Sequence, residues 1–247
     1  MKILNVNLNK ESYPIWIEKG ITAKLDKCLA PLDSGTQWVI ITQESIFKYY
    51  KKNLKSLLSK FKVKIIFILE NENAKSFNEF RSICQKLQKI GCNRHSKLIA
   101  FGGGVVGDLT GFVAATYMRG IDYIQIPTTL LGMIDSSIGG KTAINLSEGK
   151  NLAGAFWQPR AVIIDPDFLT TLPRREFTSA MGEIIKYGAI LDGHLFNTVS
   201  ENINDLVPLK NTTLLLEIIL QCVKIKSKIV SSDEKEKGTR RILNFGH

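Results

Sequence analysis

The chain has 247 residues, of which 44% are hydrophobic and 23% charged, a composition that is typical of a globular protein and excludes a disordered or fibrous one. This length can bury a core in one large domain or in two modest ones. The net charge of +10 suits nucleic acid, an anionic membrane surface or a small anionic substrate, and charge alone does not choose among them.

The cysteines and the N-terminus indicate the compartment. Met1 to Asn7 alternates polar and apolar residues like a strand and lacks the apolar run of a secretion signal. No segment approaches the roughly 20 apolar residues that span a bilayer. The four cysteines show no C-x-x-C spacing, as expected of reduced thiols: Cys28, Cys84, Cys92 and Cys222. We therefore expect a cytoplasmic protein without a membrane partner.

Hydrophobic periodicity predicts strands that alternate with helices. A period of two at Leu4, Val6 and Leu8, and again at Ile15 and Ile17, indicates two early strands. Further strands are predicted at 38–42, 63–69, 97–101, 123–126 and 161–165. Helices are predicted for the lysine-rich segment 46–61, for 77–90 with Gly91 as its C-terminal cap, and later for 176–188, 194–200 and 214–230.

This order predicts the fold class. Alternating strands and helices favour an α/β, Rossmann-like, doubly wound and mostly parallel sheet, which binds ligands at the carboxyl ends of its strands. The strand signal fades after Pro173. We therefore expect an α/β domain over 1–172, followed over 173–247 by the start of an all-helical domain.

The lysine-rich segment has a structural explanation that needs no nucleic acid. Its lysines are interleaved with apolar residues at helical spacing, which is typical of an amphipathic helix with a solvated face. No nucleic-acid motif or aromatic-basic cluster accompanies them. A small anionic metabolite is the better partner for the net positive charge.

A glycine-rich segment follows the strand at 97–101. Gly102-Gly103-Gly104-Val105-Val106-Gly107-Asp108 satisfies G-x-G-x-x-G and opens a helix, a position where backbone N–H groups can approach a pyrophosphate. The segment lies after several strands instead of after the first, unlike an ordinary Rossmann domain. The residues alone therefore leave two interpretations open, a dinucleotide site and a tight turn, and Asp108 could equally be an acid favoured at a helix N-terminus.

The next motifs are more specific. The chain reads PTTLL from Pro127, DSSIGGKT from Asp135, Asn145, Lys150-Asn151, then LTTLP and GEIIKYG. In this order and spacing, together with GGGVVGDLTGFVAATYMRG, they resemble the 3-dehydroquinate synthases of the sugar-phosphate cyclase superfamily. The DSSIGGKTAIN form resembles that family more than the valiolone-forming or inosose-forming relatives. The resemblance runs almost from the N-terminus to His247.

The resemblance implies an activity. It implies a phosphorus-oxygen lyase that converts 3-deoxy-D-arabino-heptulosonate 7-phosphate to 3-dehydroquinate and phosphate, in aromatic amino-acid biosynthesis. NAD is used and regenerated in each turnover, and a divalent Zn2+ or Co2+ ion assists. It further implies a homodimer, because the arginine matching Arg119 reaches the phosphate of a neighbouring subunit in the family.

The resemblance also assigns residues. The substrate carries a carboxylate and a phosphate, and cations hold such groups with charge-assisted hydrogen bonds. The positions that match substrate-binding residues are Arg119, Lys141, Lys150, Asn151, Lys186, Lys226, Arg240 and Asn244. The positions that match NAD contacts are Glu70, Glu72, Lys75, Gly103, Gly104, Val105, Val106, Gly107, Asp108, Thr128, Thr129, Asp135, Lys141, Lys150, Phe168, Leu169, Thr170 and Thr171.

Two of these assignments have competing interpretations. The segment ENENAK from Glu70 departs from the family's DGEQYK-like run, which weakens the assignment of nucleoside contacts there. Phe168 and Leu169 suit plain core packing equally well.

The metal ligands implied by the resemblance are Glu183 and His247. The family pattern continues beyond His247 with a second nearby histidine and, further on, the third metal ligand, and neither His95 nor His194 has the context to replace that ligand. We therefore expect a C-terminally truncated chain that binds NAD but turns over little or no substrate. The alternatives are an inactive NAD-binding fragment, a related sugar-phosphate cyclase and a metal-dependent polyol dehydrogenase.

Overall fold

The computed structural model describes residues 1–33, 35–207 and 209–246, and its largest element is a seven-stranded sheet. The strands are β1 (Lys2–Val6), β2 (Tyr13–Ile17), β3 (Trp38–Gln43), β4 (Val63–Ile68), β5 (Lys97–Gly102), β6 (Asp122–Pro127), β7 (Lys141–Leu146), β8 (Gly149–Phe156) and β9 (Val162–Ile164). The order in the sheet is β1-β2-β9-β6-β5-β3-β4. β1 pairs with β2 antiparallel, and the other neighbours pair in parallel.

Eight α-helices connect or follow the strands within the described residues. They are α1 (Leu25–Leu29), α2 (Glu44–Tyr50), α3 (Lys55–Lys60), α4 (Phe77–Ile90), α5 (Gly104–Thr116), α6 (Arg174–Leu191), α7 (Gly193–Leu206) and α8 (Thr212–Ser232). The side chain of Ser76 caps α4, and Gly91 ends it at a φ of 81°, as predicted. None of the described helices is long and apolar enough to cross a membrane.

The prediction of one lysine-rich helix over 46–61 is wrong in one respect, because the segment forms two helices, α2 and α3, with a turn between them. Tyr50, Leu54 and Leu57 are all buried in the core, and their i, i+4, i+7 spacing explains why the segment has the pattern of one continuous helix.

Both faces of the sheet are covered, which confirms the doubly wound α/β class. In β3, Trp38 and Ile40 belong to one hydrophobic cluster, whereas Val39 and Ile41 belong to another. Successive residues of a strand point to opposite faces, so this run of buried residues means that both faces carry a core. Helices α4 and α5 cover one face, and α1, α3 and α6 to α8 contribute to the cluster on the other.

The C-terminal helices are confirmed, and they share a core with the sheet. Phe177 of α6, Leu195 of α7 and Ile218 of α8 lie in the same cluster as residues of β2, β5 and β6. The backbone N–H of Asn7 also donates to Ser231 Oγ of α8 at 2.9 Å. The division of the chain near residue 172 stays a prediction, because this core is continuous across it.

The β7–β8 hairpin was not predicted. Its sequence is rich in Gly, Ala, Lys and Asn instead of β-branched residues, so no strand periodicity stands out. The hairpin packs on α5, where Gly111 lies against Thr142 and Tyr123. This contact places the loops of the hairpin beside the carboxyl end of the sheet.

The close approach of α5 to the hairpin predicts a cost for Gly111→Ala. A Cβ at this position would lie 2.3 Å from Thr142 Cγ2 and 3.1 Å from Tyr123 Oη. We expect the free energy of unfolding to fall by about 2 kcal/mol because the packed neighbours must move. Urea denaturation of the purified variant measures this change.

Gly182→Ala is the matched control in another helix. No heavy atom lies within 4 Å of a Cβ built there. Alanine should therefore raise stability by up to about 1 kcal/mol through its better helix propensity. Equal destabilisation by both substitutions would contradict the packing argument.

Candidate active site

The glycine-rich turn after β5 places the start of α5 against the next strand-to-helix loop. A Cβ on Gly103 would lie 3.0 Å from Thr129 Cγ2, and one on Gly104 would lie 3.3 Å from Ser136 Oγ. The N–H of Thr128 donates to the carbonyl oxygen of Gly102 at 3.0 Å. No side chain of the described residues caps α5, so its first N–H groups remain available to an anion.

These N–H groups face a cavity of about 780 Å3, which we call the glycine-turn cavity. The predicted site residues among its walls are Glu70, Glu72, Lys75, Gly103, Gly104, Val105, Asp108, Thr128, Thr129, Lys150, Asn151 and Thr171. Glu70 and Ser45 in its lining are joined, because the carboxylate of Glu70 accepts hydrogen bonds from the N–H and Oγ of Ser45 at 3.0 and 2.5 Å. This volume is in the range of cofactor sites.

A second cavity of about 580 Å3 lies next to it, and we call it the cation-lined cavity. Its predicted site residues are Asp108, Asp135, Lys141, Asn151, Lys226, Arg240 and Asn244. Lys141 comes from β7, Lys226 from α8, and Arg240 from a 3-10 turn over Thr239–Asn244. Three cations from distant parts of the chain therefore meet at one concave surface, which favours an anionic ligand.

Arg240 is 1% exposed and is held by backbone carbonyl groups. It donates through Nη2 to Gly139 at 3.0 Å and through Nη1 to Glu234, and Nε has no hydrogen-bond partner among the described residues. Burial lowers the pKa of this guanidinium, although arginine stays charged in proteins. Arg240 thus brings a fixed positive charge to the cavity, and its Nε–H group makes no hydrogen bond within the described residues.

Asp135 organises the floor of the cation-lined cavity. It lies in a π-helical turn over Gly132–Ser136 and accepts hydrogen bonds from Lys226 and, at 2.6 Å, from Tyr187 Oη. Burial alone would raise the pKa of its carboxyl group, but the charge and hydrogen bond of Lys226, together with the bond from Tyr187, lower it to about 2. Asp135 is therefore a permanent anion that holds Lys226 in place.

Lys75 joins the walls of the two cavities. Its side chain is 5% exposed and donates to Asp108 Oδ2 at 2.6 Å and to Asn151 Oδ1. Asp108 and Asn151 line both cavities, as does Ser136. Burial raises the pKa of Asp108 to about 6, against the opposing effect of Lys75.

The hairpin is attached to the loop of Lys75 by further hydrogen bonds. Asn145 donates through its N–H to the carbonyl oxygen of Lys75 at 2.8 Å and through Nδ2 to Glu72 at 2.9 Å. The side chain of Asn145 also accepts from the N–H of Asn151 at 2.9 Å. Asn151 has a φ of 58°, a left-handed conformation that asparagine tolerates better than most residues.

Glu183 and Lys186 form a separate pair one turn apart on α6. Their side chains make an ion pair at 2.5 Å, and Lys186 also donates to the carbonyl oxygen of Leu243 at 2.5 Å. Within the described residues, no group of three His, Cys, Asp or Glu side chains is arranged to hold a metal ion. The predicted ligand His247 lies outside the described residues.

Several predicted residues lie outside both cavities in the part of the chain that the structure describes. Val106 and Gly107 are buried within α5, and Phe168 and Leu169 lie in the core, where Phe168 packs on Tyr50 and Phe101. These placements leave only backbone contacts with a cofactor for Phe168 and Leu169. Arg119, Thr170, Glu183 and Lys186 also line neither cavity.

The sequence patterns missed three residues of the site. Tyr187 binds Asp135, Ser136 lines both cavities, and Glu236 pairs with Lys141. Tyr187 and Ser136 stand inside the motifs GEIIKYG and DSSIGGKT, so the motifs point to them. Glu236 stands in a run of alternating charges, which by itself is typical of a solvated segment.

Comparison with known proteins identifies what the chain is similar to. Residues 65–179 match the family model for the 3-dehydroquinate synthase N-terminal region, and residues 180–247 match the C-terminal one. The chain is 45% identical over 247 residues to 3-dehydroquinate synthase of Alkaliphilus metalliredigens and 46% identical over 249 residues to that of Clostridium acetobutylicum. All of this chain is covered in both comparisons, and it spans 68% and 69% of those proteins.

Solved structures of related cyclases have the same fold. A 2-epi-5-epi-valiolone synthase from Streptomyces hygroscopicus, with NAD+ and Zn2+ bound, matches with a TM-score of 0.89 at 28% identity, over 98% of this chain and 67% of its own. A 2-deoxy-scyllo-inosose synthase with carbaglucose-6-phosphate, NAD+ and Co2+ matches with a TM-score of 0.88 at 26% identity, over 100% and 67%. Glycerol dehydrogenase of Schizosaccharomyces pombe shares the fold alone, with a TM-score of 0.63 at 14% identity over 89% and 59%.

The buried pair of Asp135 and Lys226 predicts a pH-dependent loss of stability in Asp135→Asn. At pH 7 the free energy of unfolding should fall by about 3 kcal/mol, because Lys226 keeps a buried charge without its counterion. The wild-type carboxyl has its pKa lowered from 3.8 to about 2, so its stabilisation is present above pH 3.8 and is lost as the pH falls towards 2. The difference between variant and wild type should therefore shrink by about 2 kcal/mol over that range.

Urea denaturation at pH 7, 4 and 2 measures this difference. The exposed Asp205→Asn on α7 is the control and should change stability by less than about 0.5 kcal/mol at each pH. A constant difference between Asp135→Asn and wild type at all three pH values would mean that the charge of Asp135 is not the source of its effect.

The position of Lys75 predicts that Lys75→Met loosens the hairpin. Methionine has similar length but no charge, so Asp108 and Asn151 lose their common donor. Amide hydrogen exchange over 141–156 should become at least about tenfold faster, since local opening costs less. The control Lys89→Met, on the exposed face of α4, should leave those rates unchanged. Unchanged exchange in Lys75→Met would show that the backbone bonds of Asn145 hold the hairpin without it.

Proposed function

The chain belongs to the 3-dehydroquinate synthase family, and we propose that its two adjoining cavities serve that family's reaction, the conversion of 3-deoxy-D-arabino-heptulosonate 7-phosphate to 3-dehydroquinate and phosphate. The observation that carries the proposal is the common wall. A cavity at an open helix N-terminus and a cavity lined by three cations share Asp108, Ser136 and Asn151, so a cofactor in the first would lie against a substrate in the second.

The glycine-turn cavity fits NAD. The uncapped N-terminus of α5 offers N–H groups to a pyrophosphate, and the glycines allow the close approach. Glu70 and Glu72 also line this cavity, where their carboxylates can accept hydrogen bonds from ribose hydroxyl groups. NAD supplies reversible hydride removal from a secondary alcohol when it is bound.

The cation-lined cavity fits the substrate, which carries both a carboxylate and a phosphate. Lys141, Lys226 and Arg240 supply the positive charge, and Asn244 adds an amide donor. Asp135 fixes Lys226, and the carbonyl groups of Gly139 and Glu234 fix Arg240. A rigid set of donors holds the substrate in one pose, which favours the later intramolecular ring closure through proximity.

The proposed metal is Zn2+ or Co2+, as in the solved relatives. Glu183 offers a carboxylate, the expected ligand type, but the described residues alone do not form a complete site.

The proposed assembly is a homodimer in the cytoplasm, without nucleic acid or membrane partners. Arg119 supports the dimer, because it is exposed, lines neither cavity and is held at a φ of 66° in a turn after α5. An arginine presented in this way is available to the site of a second copy.

Phosphate release from 3-deoxy-D-arabino-heptulosonate 7-phosphate, with NAD and Zn2+ supplied, tests the function. We expect Lys141→Met to lower release by about 100-fold, because the substrate anion loses a charged partner. Lys141 is half exposed, so its substitution should leave the fold intact. The exposed Lys210→Met is the control and should keep wild-type activity.

The outcomes separate the alternatives. The Clostridium acetobutylicum relative serves as the positive control for the assay. Accumulation of NADH in proportion to substrate would identify a polyol dehydrogenase instead. Binding of NAD without phosphate release would support the NAD-binding fragment and contradict synthase activity of this chain.

A further inference from the structure

The anion that neutralises Lys141 comes from the protein itself. Glu236 makes an ion pair with Lys141 and accepts a hydrogen bond from Asn244 Nδ2 at 2.6 Å. Lys141 and Asn244 both line the cation-lined cavity, and the proposed function assigns both to the substrate. One carboxylate thus occupies two of the donors that a substrate anion would use.

The loop that carries Glu236 is built to hold it there. The carboxylate of Asp233 accepts from the N–H groups of Lys237, Gly238 and Arg240 at 2.9, 2.7 and 3.0 Å. This closes a tight turn in which Glu236 has a φ of 56°, a left-handed conformation that costs energy in a residue other than glycine. The side chain of Glu236 is only 14% exposed, so it points inward instead of into solvent.

The other cations of the cavity are satisfied differently. Lys226 is paired with Asp135, which also binds Tyr187 and lies in the floor. Arg240 is held by backbone carbonyl groups. Lys141 is half exposed, and its ion pair with Glu236 bridges the hairpin and the loop after α8. The contact of Lys141 with Glu236 is therefore the exchangeable one, because the Lys141 side chain is half exposed and an incoming anion can reach it.

We propose that Glu236 is an internal substitute for a substrate oxyanion, and that the anion binds by displacing Glu236 from Lys141 and Asn244. This inference rests on the proposed function only in taking the cation-lined cavity as an anion site. Displacement exchanges one ion pair for another, so Glu236 weakens anion binding. In the empty site it keeps Lys141 and Asn244 in position and neutralises a charge that would otherwise attract unrelated anions.

Isothermal titration calorimetry tests the inference. The 247-residue chain is titrated with inorganic phosphate at low ionic strength. Glu236→Gln keeps the size and the hydrogen-bonding oxygen but removes the competing charge. We expect the Kd for phosphate to fall by about fivefold, the effect of removing one partly exposed ion pair. Glu148→Gln, which removes an exposed charge from the turn of the same hairpin, is the control for net charge and should change Kd by less than about 1.5-fold.

A gain in affinity is not expected from damage to the fold, and unchanged NAD binding checks that each variant is intact. A Kd for phosphate in Glu236→Gln that is equal to or higher than in wild type, or no detectable phosphate binding in either, would overturn the inference. Parallel titration with acetate distinguishes the source of the anion. Tightening for phosphate alone assigns the position to the phosphate of the substrate, and tightening for acetate as well assigns it to either anionic group.

A measurement on the wild type avoids reliance on that variant. The 13C carboxyl resonance of Glu236, assigned with Glu236→Asp, should shift when phosphate saturates the protein, and an unmoved resonance would reject displacement. The titrations and the resonance measurement need no turnover. Tighter phosphate binding by Glu236→Gln without synthase activity would therefore contradict the proposed function alone. Normal phosphate release from the substrate without tighter phosphate binding would contradict this inference alone.

Discussion

The candidate site depends on the buried ammonium group of Lys75. It lies between Asp108 at the start of α5 and Asn151 of the hairpin and donates a hydrogen bond to each, so one buried charge links the helix to the hairpin. A buried lysine is stable only when it is paired. Lys75, together with the hydrogen bonds of Asn145, therefore holds the wall between the two cavities and aligns the proposed cofactor and substrate sides of the site.

The same physical principle recurs throughout the site. The cations that surround the cation-lined cavity are each given an oxygen partner by the protein: Asp135 for Lys226, backbone carbonyl groups for Arg240 and Glu236 for Lys141. Such pairing offsets the mutual repulsion of like charges at close range. It also sorts the cations into those that are locked and those that can change partner. The net positive charge of the chain is therefore less informative than the identity of each partner.

Three residues assigned to function have a left-handed backbone. Asn151, Arg119 and Glu236 have positive φ values. Asn151 lies in β8 next to the turn of the hairpin, Arg119 follows α5, and Glu236 follows α8. Asn145 and Asp233 accept backbone hydrogen bonds that hold two of these segments in place. These local hydrogen bonds offset the energetic cost of the left-handed backbone, and a sequence pattern does not reveal them.

The fold class and most elements could be predicted because they depend on local periodicity. β3, β5, α4 and α5 follow directly from runs of apolar residues and from caps such as Gly91, whose effects act within a few residues. The hairpin could not be predicted in this way. Its strands are defined by packing on α5 and by hydrogen bonds to the loop of Lys75. That loop is distant in sequence, since Lys75 and Asn151 are 76 residues apart.

The sequence by itself determined the family, the order of elements and the residue types of the site, because motifs such as DSSIGGKT and GEIIKYG combine specific residues at fixed spacing. Only the tertiary structure decided which of those residues meet. It separated the walls of the two cavities from core residues such as Phe168, and it brought Glu236 to Lys141 across 95 residues of sequence. The physical reason is that charge pairing and burial depend on distances in space, which chain order leaves undetermined.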